Sequence, residues 1–333
     1  MPPEVVYPPR CMSHTAPATN CYAKENAQLR AAFHWPSPTR TSAWDITRMN
    51  ADKTFTILDK EQLIPGQTSK LVVSAPQIAL KAKPGNFVIL RIAEKGERIP
   101  LTIADTDPEA GTITMVYLVM GKSTAMLDEL DKGDEILDLC GPLGKPTHIS
   151  TEAGTVVCVG GGTGVAAMHH IAKGHHRAGN KVVAVIGARS KDLLLFEREL
   201  GQFCDKVLIA TNDGSAGVQG FVTGVLQDYL ENESDIGEVV AVGPVPMMAA
   251  VAETTRPFEV KTTVSLNSIM LDGIGMCGAC RVTVAGDTRF ACVDGPEFDG
   301  HEVDFTELSN RLAAFKTMEQ AAHDHYCKCK CDD

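Results

Sequence analysis

The chain has 333 residues, 44% hydrophobic and 22% charged, which is the balance of ordinary globular domains and not that of disordered, collagenous or coiled-coil chains. Its 31 Lys and Arg against 42 Asp and Glu give a formal charge of −11, which repels a phosphate backbone and disfavours a nucleic-acid partner. The most apolar stretches, 155–167 and 182–188, are short or broken by glycine and fall below the ~20 residues that cross a bilayer, so no membrane span is expected.

Residues 1–52 are rich in Pro, Ser, Thr, Ala and Asn without a sustained period and read as an N-terminal extension. They lack the basic start and apolar run of a secretory signal. Eleven cysteines in a long chain of that kind point to metal or redox chemistry in the reducing cytoplasm and not to a disulfide framework. From residue 53 to 150, short β-type runs (54–58, 69–75, 87–92, 112–119 and 135–139) alternate with Pro-Gly and Gly-Pro turns and predict a small antiparallel barrel. One helix is expected within it, Ser123 to Leu130, with Ser123 and Thr124 as candidate N-caps. Between 151 and 265, apolar runs at 155–160, 181–187, 206–212 and 238–243 alternate with helical segments, the pattern of an α/β domain with a parallel sheet. Residues 266–305 form a glycine and cysteine loop followed by a hairpin, and 306–333 a polar, Cys-containing tail.

The loop carries the strongest chemical signal. Two residues separate Cys277 from Cys280, and eleven more precede Cys292. Those eleven make a hairpin, with 281–284 going out, a turn at Ala285, Gly286 and Asp287, and 288–291 returning, which brings Cys292 back beside Cys280. The loop glycines let backbone N–H groups face negative thiolates and sulfides, as an iron–sulfur cluster requires and a zinc site does not. Plant-type [2Fe–2S] spacing, C-x4-C-x2-C and a distant Cys, has Asp272 where its first Cys would stand. Asp272 is then an oxygen ligand, or a turn cap with the fourth ligand elsewhere, or part of a zinc site with the three cysteines.

Two further patterns bind phosphate. Gly160, Gly161, Gly162, Thr163 and Gly164 follow a buried strand and open a helix, where backbone N–H groups cradle a pyrophosphate. Gly243 and Pro244 end another strand of the same sheet and open another helix. In the barrel half, Arg98 supplies a fixed cation, Pro100 and Leu101 an apolar wall, and Thr102 a hydroxyl able to bond a flavin ring. Val116, Tyr117 and Leu118, with the helix start at Ser123 and Thr124, extend that site. For nucleotide choice, Arg189 and Lys191 after the second α/β strand favour a 2′-phosphate, whereas Asp213 after the third repels one.

Other conspicuous residues read as structural. Adjacent His169 and His170 diverge on a helix, Cys140, Cys158 and Cys204 are expected to be small buried groups, and Met247 and Met248 to pack a helix. Cys327, Cys329 and Cys331 alternate, so an extended tail would put all three on one face, which gives an extra metal site a case beside the alternative of a solvated tail; Cys11, Cys21, His14 and His34, which could complete such a site, lack a supporting spacing.

The Arg-x-Pro-Leu-Thr run in a barrel, Gly-Gly-Gly-Thr-Gly and Gly-Pro-x-x-Met-Met in an α/β domain, and a C-terminal two-iron loop together resemble the ferredoxin–NADP reductase superfamily over about residues 53–305. Within it the order is similar to the dihydroorotate dehydrogenase electron-transfer subunits and, more closely, to the small subunits of NADH-dependent ferredoxin:NADP oxidoreductase, also called sulfide dehydrogenase subunit beta, in which an Asp replaces the first cluster Cys. The resemblance implies a β barrel plus α/β fold. It implies FAD on Arg98, Pro100, Leu101, Thr102, Val116, Tyr117, Leu118, Ser123 and Thr124, with Thr102 at the reacting ring. It implies NAD(H) on the Gly160–Gly164 turn with Gly243 and Pro244 at the nicotinamide end, and a [2Fe–2S] cluster on Asp272, Cys277, Cys280 and Cys292. The implied partner is a larger FAD and [4Fe–4S] subunit related to the small subunit of glutamate synthase, with ferredoxin as a further partner and electron bifurcation as the joint activity. Electron transfer for dihydroorotate or sulfide oxidation, and a redox-sensing scaffold without turnover, are the alternatives.

Overall fold

The computed structural model describes residues 55–94 and 96–331. The extension 1–52, with Cys11, Cys21, His14 and His34, lies outside the described residues. Strands β1 (Phe55–Ile64) and β2 (Thr68–Ser74) form a hairpin; a short helix α1 (Pro76–Ala79), β3 (Phe87–Arg91), β4 (Arg98–Asp107), β5 (Thr112–Leu118), helix α2 (Lys122–Glu129), β6 (Glu135–Ile136) and β7 (Asp138–Leu143) follow. They build one antiparallel sheet in the order β6-β1-β2-β5-β4-β3-β7. Its two edge strands, β6 and β7, are separated in the chain by Leu137 alone, so the sheet must curl until its edges meet as a barrel. Alternation along the strands sends Ile57, Leu71, Val73, Leu90, Ile103, Ile113 and Met115 inward, and Leu127 of α2 and Ile136 complete this core.

The second half runs β8 (Thr155–Gly161), α3 (Gly164–Arg177), β9 (Lys181–Ala188), α4 (Glu197–Leu200), β10 (Lys206–Thr211), β11 (Val218–Gln219), α5 (Val222–Asn232), β12 (Ile236–Val242), α6 (Val245–Thr255) and β13 (Thr262–Ser265). Then come the hairpin β14 (Arg281–Val284) and β15 (Asp287–Phe290), α7 (Ala291–Asp294), β16 (Glu297–Asp299), α8 (Phe305–Ala313) and α9 (Lys316–Cys331). The sheet order is β11-β10-β9-β8-β12-β13-β16, parallel throughout except for β16. Every residue of β8 is buried, as its continuous apolar run requires when both faces are covered. On one face Val157, Val159, Val183 and Val185 pack under α5 and α6; on the other Val156, Val182, Ala184 and Ile186 pack under α3. Chain order reverses at β8, with β9 on one side and β12 on the other, so a crevice opens at its carboxyl end, at the Gly160–Gly164 turn.

Three expectations are corrected. The N-cap of α2 is Gly121, not Ser123 or Thr124: Thr124 is the third helical residue, and its Oγ1 accepts from the N–H groups of Met120 (3.0 Å) and Gly121 (3.1 Å). Cys140 is exposed, because it lies on edge strand β7 with the opposite facing to buried Leu139. The tail is helical to Cys331, so a strand's alternation is not its geometry; α9 reaches α2, where the Tyr326 hydroxyl donates to Glu129 Oε1 at 2.5 Å. Among the described residues no helix is long and apolar enough to cross a membrane.

Candidate functional site

The glycine turn after β8 is shaped by two demands. Gly162 has φ +56°, which lets the backbone turn out of the strand into α3, and Gly164 lies so close to β12 that a Cβ would stand 2.5 Å from the Val242 carbonyl and 2.7 Å from Gly243 Cα. The two predicted turns therefore touch. Pro244 is the N-cap of α6, and Met247 on its first turn lies over both Gly161 and Gly243. The sequence assigns the Met247 side chain to helix packing, with the backbone there able to touch nicotinamide; the preceding Gly-Pro pair is the signal that places it at the turn. At the far end of the crevice the loops after β9 and β10 are knit together. Asp213 donates its N–H to the Arg189 carbonyl (3.2 Å) and accepts from Ser215 N (2.9 Å) and Oγ (2.6 Å), while Ser215 Oγ accepts from Lys191 N (2.8 Å). Those Ser215 bonds hold the exposed Asp213 carboxyl below the usual range, so this end of the crevice carries a fixed negative charge.

In the barrel, β4 carries Arg98 exposed and Ile99, Pro100, Leu101 and Thr102 half-buried, a strand that presents a partly open surface before Ile103 and Ala104 enter the core. Val116 and Leu118 flank it on β5, Leu118 exposed. Tyr117 instead points into the barrel, where its hydroxyl donates to Asp128 Oδ1 at 3.2 Å, and burial, with Asp128 next in importance, raises its pKa. Any approach to a cofactor at this position is through its backbone. Ser123 Oγ donates to Glu97 Oε2 at 2.5 Å, so that hydroxyl is already engaged by a neighbour the sequence reading had not singled out.

The cysteine loop rests on the barrel. Met270, Cys280, Ala291 and Cys292 share a core with Phe87 and Ile89 of β3 and with Leu143 of β7. Gly273 (φ +72°) is the point of closest approach, where a Cβ would stand 2.6 Å from Leu143 and 2.9 Å from Ile89. The hairpin closes as expected: Cys280 and Cys292 are buried with their Sγ atoms 3.3 Å apart, while Cys277 is exposed. Asp272 lies beside Cys277, whose side chain helps hold its carboxyl low, and caps the loop backbone. Its Oδ2 accepts from Cys277 N at 2.6 Å and its Oδ1 from Ile274 N at 2.9 Å, and these bonds hold its carboxyl below the usual range. Among the described residues no three His, Cys, Asp or Glu side chains converge on one point, so the loop unites two of its predicted ligands and ties the other two, Asp272 and Cys277, to each other. The donor set fits a two-iron cluster: two adjacent thiols, a third three positions upstream of Cys280, and a carboxylate held ionised on the same turn. Burial, reinforced by Cys280, pushes the Cys292 thiol up to about 12, a penalty that a coordinated metal reverses.

Residues 267–304 match the iron–sulfur cluster binding domain of dihydroorotate dehydrogenase B. The chain is 49% identical over 256 residues to a Thermotoga maritima homolog of the dihydroorotate dehydrogenase B (NAD(+)) electron transfer subunit, an alignment covering 77% of this chain and 90% of that protein. It is 34% identical over 251 residues to the corresponding subunit of Geobacillus thermodenitrificans, covering 73% and 95%. A chain of the NADH-dependent reduced ferredoxin–NADP oxidoreductase, solved for insight into flavin-based electron bifurcation, superposes with a TM-score of 0.78 at 45% identity, over 82% of this chain and 98% of that one. The ferredoxin reductase of carbazole 1,9a-dioxygenase, at 19% identity and a TM-score of 0.55 over 62% of this chain and 66% of that one, shares the fold. With its barrel, switch-point sheet and C-terminal cysteine loop in a ferredoxin reductase-like arrangement, the chain belongs to the family of dihydroorotate dehydrogenase B electron transfer subunits, oxidoreductase subunits that work by passing electrons.

Proposed function

We propose that the chain carries electrons from NADH through FAD to a [2Fe–2S] cluster and on to a partner subunit, with 53–150, 151–265 and 266–305 as the flavin, nucleotide and cluster parts. One observation carries this reading. The cluster loop packs on Ile89 of β3, and β3 pairs directly with the flavin strand, Phe87 opposite Thr102 and Ile89 opposite Pro100. A single strand spacing, about 4.8 Å, thus separates the loop's support from the strand that carries Thr102. When bound, FAD converts the two-electron chemistry of a nicotinamide into the single electrons that an iron–sulfur centre accepts.

The chain's own groups bind and orient. Arg98 holds a flavin phosphate, Pro100 and Leu101 wall the ring, and Thr102 donates a hydrogen bond at its edge. Val116, Tyr117 and Leu118 supply the neighbouring strand, and Ser123 and Thr124 the first turn of α2. The Gly160–Gly164 turn receives the dinucleotide pyrophosphate at the N-terminus of α3, with Gly243 and Pro244 beneath the nicotinamide. Asp213, fixed and ionised, repels a 2′-phosphate while Arg189 and Lys191 attract one, so the charges point both ways, and the likeness to subunits named for NAD(+) supports NADH over NADPH. Asp272, Cys277, Cys280 and Cys292 hold the two irons. Leu271, Ile274 and Met276 are exposed around that loop and form an apolar rim for a protein that takes the electrons. That partner is a larger FAD and [4Fe–4S] subunit, ferredoxin being a further exchange partner, and the pair works in the cytoplasm.

Anaerobic rapid mixing tests the donor. NADH is expected to bleach the bound flavin faster than NADPH; faster bleaching by NADPH would overturn that preference, and no bleaching by either would overturn the function.

A further inference from the structure

We propose that His170 and Lys173 of α3 are positioning residues, a clamp on β4 that sets the distance between the dinucleotide turn and the flavin strand. This rests on the assignment of those two sites above.

Helix α3 starts at Gly164, the last residue of the glycine turn, and a stripe along it meets one short stretch of β4. Ala166, His170 and Lys173 recur at helical spacing and so share a face. Ala166 packs with Ala104 and Val116, all three buried. One turn on, His170 Nδ1 lies 3.0 Å from the Ile103 carbonyl; a carbonyl only accepts, so the ring donates from Nδ1. Lys173 Nζ lies 2.6 Å from Asp105 Oδ2. All three contacts fall on residues 103–105, directly after Thr102.

The strand is shaped for this. Pairing of β4 with β5 shifts register between Ile103 and Asp105, leaving Ala104 as an extra residue. Such a bulge re-aims the backbone around it. Ile103 then joins two bodies: its N–H donates to the Asn86 carbonyl inside the barrel (3.1 Å), and its carbonyl accepts from His170 on the nucleotide side. His170 is buried, and burial lowers its pKa, so the ring stays neutral and the donor tautomer is the resting form. From Gly164 to His170 is about 9 Å of helix, at 1.5 Å per residue, a stiff arm with the pyrophosphate turn at one end and the flavin strand at the other. Hydride transfer falls steeply with small misplacement, roughly 100-fold for 1 Å.

The test compares His170→Ala, His170→Asn and Lys173→Met with the parent, each loaded with FAD. His170→Ala is expected to keep its affinity for NADH within about 3-fold while the limiting rate of flavin reduction drops ~10-fold or more. Asn places an amide N–H where Nδ1–H stood and should recover most of that rate. Independently of any cofactor, hydrogen exchange of the apoprotein should rise at residues 99–106 in His170→Ala and Lys173→Met and stay parental in His170→Asn. A parental limiting rate in flavin-loaded His170→Ala, a loss that Asn does not rescue, or unchanged exchange at 99–106 would overturn the clamp. Should His170→Ala fail to fold, Lys173→Met carries the same decision, since its ion pair is only half-buried. If NADH does not reduce the parent, the function itself fails, while exchange still decides whether the clamp exists.

Discussion

Cys280 Sγ and Cys292 Sγ lie 3.3 Å apart although twelve positions separate them in the chain, because the β14–β15 hairpin pairs Arg281 with Phe290 and returns the backbone to its start. Both thiols are buried beside β3. Cys280→Ser and Cys292→Ser are expected to lose most bound iron while keeping FAD, since the flavin strand lies outside the loop. Cys158→Ala, deep in the α/β sheet, should keep both. Iron and flavin content of the three purified variants checks this, and full iron in both serine variants would place the metal elsewhere.

Asp272 holds the cluster loop in one of two ways, and substitution separates them. As a ligand it is replaceable by Cys, with iron retained and the cluster potential shifted, because a thiolate is a softer donor than a carboxylate. As a cap for the amides of Ile274 and Cys277 it is not, since a thiol accepts those bonds poorly. The expected result is iron retained in Asp272→Cys with a potential moved by tens of millivolts, where about 59 mV is tenfold for one electron. Asp272→Ala should lose iron. EPR with redox titration of both reads the outcome.

Gly164 allows the two nucleotide turns to touch. Adding a Cβ 2.5 Å from the Val242 carbonyl forces backbone apart, which costs roughly 1–3 kcal/mol. Gly164→Ala should therefore lower the unfolding midpoint and weaken NADH binding at least ~10-fold while leaving flavin content intact. Denaturant unfolding and NADH titration of the same preparation measure both effects.

Glu297 should make stability depend on pH. It is half-buried on β16, where Thr147 Oγ1 donates to its Oε1 at 2.6 Å and Glu238 and Lys261 lie near. Burial raises its pKa from 4.5 to about 7, so the fold favours the neutral acid. That contribution is complete below about pH 4.5 and is lost as pH rises through about 7, on the order of 3 kcal/mol in total. Glu297→Gln should remove it, so the urea midpoint of the variant relative to the parent should climb between about pH 5 and pH 8. Parallel profiles would contradict the assignment.

Much of this was legible in the sequence because the signals were local. Continuous apolar runs marked β8, β9, β10 and β12, and the Cys277, Cys280 and Cys292 spacing with a turn at Ala285–Asp287 foretold the hairpin that joins two of the thiols. What escaped depends on distant partners. β4 was read only as a binding run, since Pro100 and a half-buried face give it no alternation, and it is a strand because β3 and β5 flank it. β13 and β16, of four and three residues, have no period and exist through hydrogen bonds to β12 and to each other. Ser123 looked like a cap by residue type, yet the turn geometry chose Gly121 and left Ser123 to Glu97. The alternating cysteines hid the tail's helix, and His169 and His170, read as structural, gave no hint that one of them reaches the barrel.

Anaerobic titration of the purified chain with NADH, read by flavin absorbance and low-temperature EPR on the same samples, tests the electron path most directly. Flavin bleaching accompanied by the growth of a reduced [2Fe–2S] signal is the expected result. An iron-loaded, flavin-loaded protein whose flavin NADH leaves oxidised, or whose cluster stays silent after the flavin is bleached, would contradict it.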